Sequence, residues 1–294
     1  MLISSQTDFL ARAYGDEQAL RRLSAYGFDA VDFGMFHYPM NQDSPLFWEE
    51  GAFEAYFRSL GALAKELGLL IGQVHSPFPT YLADGQDDTR LLLQQRAVRA
   101  TALLGCKYMV MHPAIPAYRL YDQGRQACKA LNMQRYSSLI PELEKNDVQI
   151  AVENMFAFDK AKGRYCPTVC STAEEMLDYI HSLNALSPRF VACLDVGHAL
   201  ITGDTPQRMA LQLGQDLRVL HIQDNDGLGD WHVIPHLGSI DWPAFLQALR
   251  QIRYPGTFSL EADNFPTKLG AANADAAFRL MVSVARNLAD AFEG

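Results

Sequence analysis

Eight times along its 294 residues the chain passes from a short, β-rich apolar run into a polar loop and then into a longer stretch with helical spacing. The runs cover residues 2–5, 30–33, 69–75, 108–112, 148–153, 190–195, 218–222 and 257–261. The helical stretches cover 16–26, 53–67, 90–104, 135–145 and 273–292, and three more open at 171–174, after 204–206 and at 240–243. Nearly continuous apolar strands separated by helices call for a parallel sheet, because parallel strands are covered on both faces. Eight units let that sheet close, so the expected fold is α/β, a single (β/α)8 TIM barrel spanning 1–294. An open doubly wound sheet gives no reason for eight repeats, and no Gly-x-Gly-x-x-Gly follows the first run. Two helix starts carry local signals: Ser171-Thr-Ala-Glu174 has the form of a capping box, and Asp241 can cap a helix with Pro243 in its first turn.

Composition bears on partners. With 34 acidic side chains against 25 Lys and Arg, the formal net charge is −9, which opposes a surface built to hold a polyanion. No apolar run reaches the length of a membrane span, and the first residues lack a basic segment followed by an apolar one. The expectation is a cytoplasmic protein with no membrane contact. The five cysteines, Cys106, Cys128, Cys166, Cys170 and Cys193, are odd in number and scattered, so free thiols are expected, with Cys166 and Cys170 structural.

The ionisable residues fall where a barrel would use them. His75 ends the third run, His112 the fourth, Glu153 the fifth, Asp195 the sixth with His198 one turn on, His221 the seventh and Glu261 the eighth. In a closed parallel barrel these carboxyl ends form one ring. Glu153, Asp195 and Glu261 each follow an apolar run directly, and a carboxylate is costly to bury there unless paired or bound to a cation. Asp230 and His232 are two apart, so an extended segment would turn both to one side. The quartet Glu153, Asp195, His221 and Glu261 is rich in oxygen and suits a divalent ion such as Mn²⁺ or Mg²⁺. The surplus His75, His112, His198, Asp230 and His232 adds nitrogen that suits Zn²⁺. His37 and His236 read as loop residues and His181 as a solvated helix residue. The aromatic residues Phe36, Tyr38, Phe47, Trp48, Phe78 and Tyr81 are candidates to roof a substrate pocket. Lys160, Lys162 and Arg164 are candidates to grip a substrate phosphate.

At VENM, CLDVGHAL, LHIQDND, the following Asp-x-His with Ile-Asp-Trp, and Glu261, the chain resembles the xylose isomerase-like barrel superfamily along nearly its full length. In its sugar isomerases and ketose epimerases the resemblance implies one metal held by Glu153, Asp195, His221 and Glu261. The two glutamates then also serve as acid and base, with His198 beside them as a further catalytic candidate. In its apurinic-site endonucleases it implies three zinc ions held by His75, His112, Glu153, Asp195, His198, His221, Asp230, His232 and Glu261. The loops at 37–48 and 76–88 are acidic and aromatic where a DNA-probing rim would be basic. The loop after His221 also has no arginine before Asp230, a residue some ketose epimerases use.

The expected function is therefore a metal-dependent sugar or sugar phosphate isomerase or epimerase, with Mn²⁺ favoured and Zn²⁺, Mg²⁺ and Co²⁺ compatible. The alternatives are a zinc-dependent apurinic-site endonuclease-like phosphodiesterase and a metal-binding lyase-type subunit that needs a partner. The expected ligand is a small sugar, not nucleic acid, with Phe36, Trp48, Tyr81 and Lys160 lining its pocket. A homo-oligomer is compatible with this reading.

Overall fold

Eight parallel strands form one sheet: β1 (Ile3–Gln6), β2 (Ala30–Gly34), β3 (Leu70–His75), β4 (Tyr108–Met111), β5 (Gln149–Glu153), β8 (Phe190–Asp195), β9 (Leu217–His221) and β10 (Phe258–Leu260). A separate antiparallel hairpin, β6 (Phe156–Asp159) and β7 (Arg164–Pro167), lies between β5 and β8 in the chain. The computed structural model describes residues 1–115 and 118–294, with backbone alone at 118–123. Sheet order follows chain order, and β10 pairs with β1. The last gap closes through Ile222, whose N–H donates to Ser259 O at 2.7 Å and whose carbonyl accepts from Glu261 N at 2.9 Å. The expected barrel is thus the observed one, with β9 and β10 joined by this short contact.

The helices are α1 (Asp8–Tyr14), α2 (Asp16–Tyr26), α3 (Glu50–Glu66), α4 (Asp87–Leu103), α5 (Tyr118–Ser138), α6 (Ile140–Asn146), α7 (Ala173–Asn184), α8 (Val196–Ile201), α9 (Pro206–Leu213), α10 (Trp242–Ile252), α11 (Asn264–Leu269) and α12 (Ala274–Glu293). Their apolar faces and the outward side chains of the strands form the main core, which holds Phe33, Phe53, Phe57, Phe190, Phe245 and Phe258. Inside the barrel a smaller layer packs Val110, Ala151, Val191, Cys193 and Val219. Strand side chains alternate with period two, so the residues two positions on from Val110, Ala151, Cys193 and Val219 also turn inward. Those residues are His112, Glu153, Asp195 and His221. The small apolar layer is therefore the floor on which the polar ring stands.

Several details differ from the periodicity. The short helices α1, α8 and α11 sit in loops at the carboxyl ends of strands, and the helix expected at 135–145 is two helices meeting at residue 139. The capping box at 171–174 is shifted by one: Thr172 accepts from Glu175 N, and Glu175 reaches back to Cys170 N. Asp241 caps α10 as expected, accepting from Ala244 N at 3.0 Å. The five cysteines are free and buried. Among the described residues no helix is long and apolar enough to cross a membrane.

Candidate active site

Ligand atoms of Glu153, Asp195, His221 and Glu261 all lie within 4.8 Å of one another, and the four side chains are buried. His221 is the hub. Its Nε2 stands 3.1 Å from Asp32 Oδ2, while its Nδ1 is 3.1 Å from Glu153 Oε1 and 2.9 Å from Glu261 Oε2. A neutral imidazole that donates from Nε2 to Asp32 leaves the Nδ1 lone pair facing the carboxylates, which is a ligand geometry. Asp32 is in turn held by Gln73 Nε2 at 3.0 Å, and Glu261 Oε1 accepts from Gln6 Nε2 at 2.7 Å. Glu153 Oε2 and Glu261 Oε2 are buried and face imidazole nitrogens, His112 Nε2 at 3.0 Å and His221 Nδ1 at 2.9 Å. Buried carboxylate oxygens that converge with imidazole nitrogens fit a divalent cation.

Two further groups flank the quartet. His75 and His112 meet through Nε2 at 3.1 Å, and His112 Nε2 lies 3.0 Å from Glu153 Oε2. On the other side His232 Nε2 contacts Asp230 Oδ2 at 3.0 Å, and His198 Nε2 lies 3.8 Å from Asp230 Oδ1. Three of these histidines share one device. His75 Nδ1 faces Ser76 O at 3.0 Å, His198 Nδ1 faces Asn154 O at 2.9 Å and His232 Nδ1 faces Glu261 O at 3.0 Å. A ring nitrogen facing a backbone carbonyl carries the proton, so in each neutral ring Nε2 is the free ligand atom.

The electrostatics reflect a crowd of carboxylates balanced by imidazolium. Burial pushes Asp195 up to about 7, with Glu261 and Glu153 adding to the effect and His198 opposing it. Burial works the same way on Glu153, but His221 and His112 overcome it and hold that carboxyl well below its usual range. His221 is raised well above an ordinary histidine despite its burial, by Cys193, Glu261 and Glu153. A cation entering this set would take the place of those protons, so its binding should release them.

Above the quartet opens a cavity of about 470 Å³. Its apolar wall is Phe36, Phe78, Met155 and Phe156, and its polar wall includes His112, His198, Asp230, His232 and Glu261. Phe36 packs at 4.0 Å between ring centroids on His75, and Phe78 edges onto His112 at 5.1 Å. The other pocket candidates lie elsewhere. Trp48 packs edge-on against Tyr56, Tyr81 lies under the Arg135 guanidinium, and Lys160 is exposed at the tip of the β6–β7 hairpin. Lys162 pairs with Asp159 in the same hairpin, and Arg164 is exposed. His181 is solvent-facing and bonded to Asp216, whereas His37 is no ordinary loop residue, since it sits between the buried Asp8 and Asp16.

The expected Asp-x-His geometry is also different in kind. His232 has φ 46°, in the left-handed region, so the segment is not extended. The pair meets because Gln223 holds both ends, donating to Asp230 Oδ1 at 2.9 Å and accepting from His232 N at 3.1 Å. The same Gln223 stands 3.4 Å from both oxygens of Asp195.

A family model described as xylose isomerase-like TIM barrel matches residues 20–283, most of the chain. The chain belongs to the xylose isomerase-like TIM barrel family. Curated relatives include an uncharacterized protein of Mycobacterium leprae, 29% identical over 57% of this chain and 60% of its own length. Another, from Methanocaldococcus jannaschii, is 24% identical over 65% of this chain and 64% of its own. The chain thus spans less than two thirds of the length of these two. An uncharacterized protein of Mycobacterium tuberculosis is 24% identical, with 83% of each covered. Among solved structures, a D-tagatose 3-epimerase-like protein superposes with TM-score 0.73 at 18% identity over 99% of both chains. A 3-keto-D-glucoside 4-epimerase from E. coli does so with TM-score 0.73 at 18% identity over 98% of this chain and 99% of that one. At such identities these likenesses establish the fold.

Within this xylose isomerase-like barrel, sequence reading missed Asp32, Gln6, Gln73 and Gln223. Asp32 carried a signal, since the acid sits inside the apolar run Ala-Val-Asp-Phe, just as Glu153 and Glu261 end theirs. The glutamines carried none, because an inward glutamine in a strand looks like any polar residue until the strands opposite it are placed.

Proposed function

We propose that this protein is a metal-dependent isomerase or epimerase of a sugar or sugar phosphate, working by proton transfer at the carbon beside a polarised carbonyl. The observation that carries the reading is the glutamate pair. Glu153 ends β5 and Glu261 directly follows β10; both are buried, belong to one ligand group and turn an oxygen toward imidazole nitrogens. Solved epimerases that share the fold, including a D-psicose 3-epimerase in the presence of D-fructose, lend it support.

Glu153, Asp195, His221 and Glu261 would hold a divalent ion, which would supply Lewis-acid polarisation of the substrate carbonyl and so make the adjoining C–H more acidic. Three carboxylates and one imidazole favour Mn²⁺ among the compatible ions. One glutamate, as carboxylate, takes the proton from that carbon, and the electron pair left behind spreads onto the carbonyl oxygen. The other glutamate, protonated, returns a proton to the opposite face of the same carbon, giving the epimer, or to the former carbonyl carbon, giving the isomer as the hydroxyl proton of the first carbon passes to the former carbonyl oxygen. His198 and His232 line the cavity and hydrogen-bond the substrate oxygens. Phe36, Phe78 and Phe156 keep water from the exchanged proton, and burial raises the proton affinity of the glutamates against the neighbouring imidazoles that lower it.

The test is proton exchange. Purified protein with Mn²⁺ and a panel of ketoses and aldoses in D₂O should place deuterium at one sugar carbon, read by NMR. Glu153→Gln and Glu261→Gln should each lower that rate by about 10²- to 10⁴-fold while the sugar still binds. Wild-type exchange in either variant rejects its role. Exchange by the chain alone also disposes of the reading in which a partner must complete the site. The two flanking ligand groups favour a second reading, a zinc-dependent phosphodiesterase acting on abasic DNA. Three zinc ions per chain together with abasic-DNA cleavage is its signature, and the net charge of −9 opposes it.

A further inference from the structure

Among the described residues, the lining of the cavity contains one guanidinium, that of Arg12, and no lysine. Arg12 lies on α1, the short helix directly after β1, with its side chain 58% exposed. Its Nε donates to Asp8 Oδ2 at 2.8 Å, and among the described residues no partner engages its two terminal nitrogens. Behind it stands a chain of buried groups. Asp8 Oδ1 accepts from His37 Nδ1 at 3.3 Å, and His37 Nε2 lies 3.2 Å from Asp16 Oδ1. Asp16 Oδ2 then accepts from Tyr38 OH at 2.5 Å and Tyr56 OH at 2.6 Å. Burying so many ionisable groups is costly, and no metal-ligand candidate is among them. What the chain accomplishes is to fix the guanidinium by its inner nitrogen and leave the outer pair at the cavity mouth.

We infer that Arg12 is a specificity residue that binds an oxyanion, carboxylate or phosphate ester, at the end of the substrate remote from the reacting carbon. A guanidinium held by Nε presents its two terminal nitrogens as a fork that matches two oxygens of such a group. A neutral hydroxyl would need no cation, and the cavity already offers Gln6 and Asn264 as neutral partners. The carboxylates of the lining do not compete for the fork: Asp8 is shared between Arg12 and His37, Asp230 contacts His232, Glu261 contacts His221, and Asp263 lies 3.6 Å from His232. This places the anion grip on the β1–α1 side of the cavity, where the sequence pattern had offered only Lys160, Lys162 and Arg164.

The inference rests on the sugar reading, and binding separates the two. Calorimetry with the metal-loaded protein would compare D-fructose, D-fructose 6-phosphate and D-fructuronate, for the wild type, Arg12→Ala and Arg12→Lys. At least one anionic ketose should bind about 10- to 100-fold tighter than fructose, and Arg12→Ala should erase that preference while Arg12→Lys keeps part of it. Which anion is preferred tells carboxylate from phosphate. No preference in the wild type, or a preference that survives in a folded Arg12→Ala, overturns the inference. Deuterium exchange on neutral sugars with no anion preference would sink the inference and leave the isomerase reading standing. Anion preference through Arg12 without any exchange would do the reverse.

Discussion

At the scale of single residues the site is governed by which nitrogen of each histidine is free. Asp32 sets this for His221, because its Oδ2 takes the Nε2–H and so turns Nδ1 toward Glu153 and Glu261. Asp32→Asn keeps the shape and removes the charge, and it should weaken metal affinity by about 10- to 100-fold, measured by competition with a chelating dye. Unchanged affinity would mean that Asp32 is structural packing only. His37 offers a prediction remote from the ligands. Burial disfavours its charged form, but Asp16 and Asp8 push it up to about 9 from 6.5. A folded pKa raised above the unfolded one stabilises fully below about pH 6.5, and the contribution fades as pH rises through about 9, on the order of 3 kcal/mol in all. The Tm difference between wild type and His37→Gln should therefore shrink from pH 6 to pH 9.5. A difference that grows with pH would contradict the ion pairing.

At the scale of elements, the carboxyl-end segments act as clamps on the ring. Asp195 ends β8 and also caps α8, accepting from His198 N at 2.7 Å, so one carboxylate sets the position of the histidine beyond it. Helix α8 approaches the loop after β9 so closely that a Cβ on Gly197 would lie 2.3 Å from Gln223 Cδ and 2.8 Å from Asn225 Nδ2. Gly197→Ala must displace Gln223, the donor to Asp230, and should cost about 1–3 kcal/mol in chemical denaturation with a loss of metal occupancy at the His198, Asp230 and His232 group. Normal stability and occupancy would show that the loop gives way freely. The β6–β7 hairpin is the opposite case. Its tip carries Lys160 and Lys162 into solvent, outside the cavity lining, so Lys160→Ala should leave sugar phosphate affinity within about twofold of wild type, as surface charges away from a ligand do. Alternating Phe-Ala-Phe-Asp, a Lys-Gly turn and Arg-Tyr-Cys spell this hairpin in the sequence itself.

At the scale of the whole molecule, barrel closure brings the inward residues of all eight strands into one ring. On the proposed function an ion would bind only that closed ring, and at about 100 times its Kd it should stabilise the protein by about 2.7 kcal/mol, read as a Tm that falls on chelation and recovers on adding Mn²⁺. Metal content per chain decides between the functional readings. One ion retained in His75→Ala and His112→Ala agrees with the sugar reading, whereas three zinc ions, lost in part in each variant, agree with the phosphodiesterase.

The chain by itself determined the architecture and the outer list of the ring. Nearly continuous apolar runs, eight times over and each followed by a helical stretch, dictate a closed parallel sheet, and a carboxylate such as Glu153 or Glu261 at the end of such a run can be buried only if something pairs with it. Only the tertiary structure decided how those groups face one another. Asp32 beneath His221, Gln223 between Asp195 and His232, and Arg12 rather than Lys160 at the cavity are neighbours because strands and loops far apart in sequence close on each other. The aromatic candidates divided for the same reason. Phe36 and Phe78 turn onto His75 and His112, while Trp48 and Tyr81 pack against Tyr56 and Arg135, and a loop sequence carries no periodicity to tell one direction from the other. Hydrophobic period is a local property and survives in one dimension. The pairing of polar side chains across a barrel is not, since it depends on the register and stagger of strands that meet only after the chain has folded.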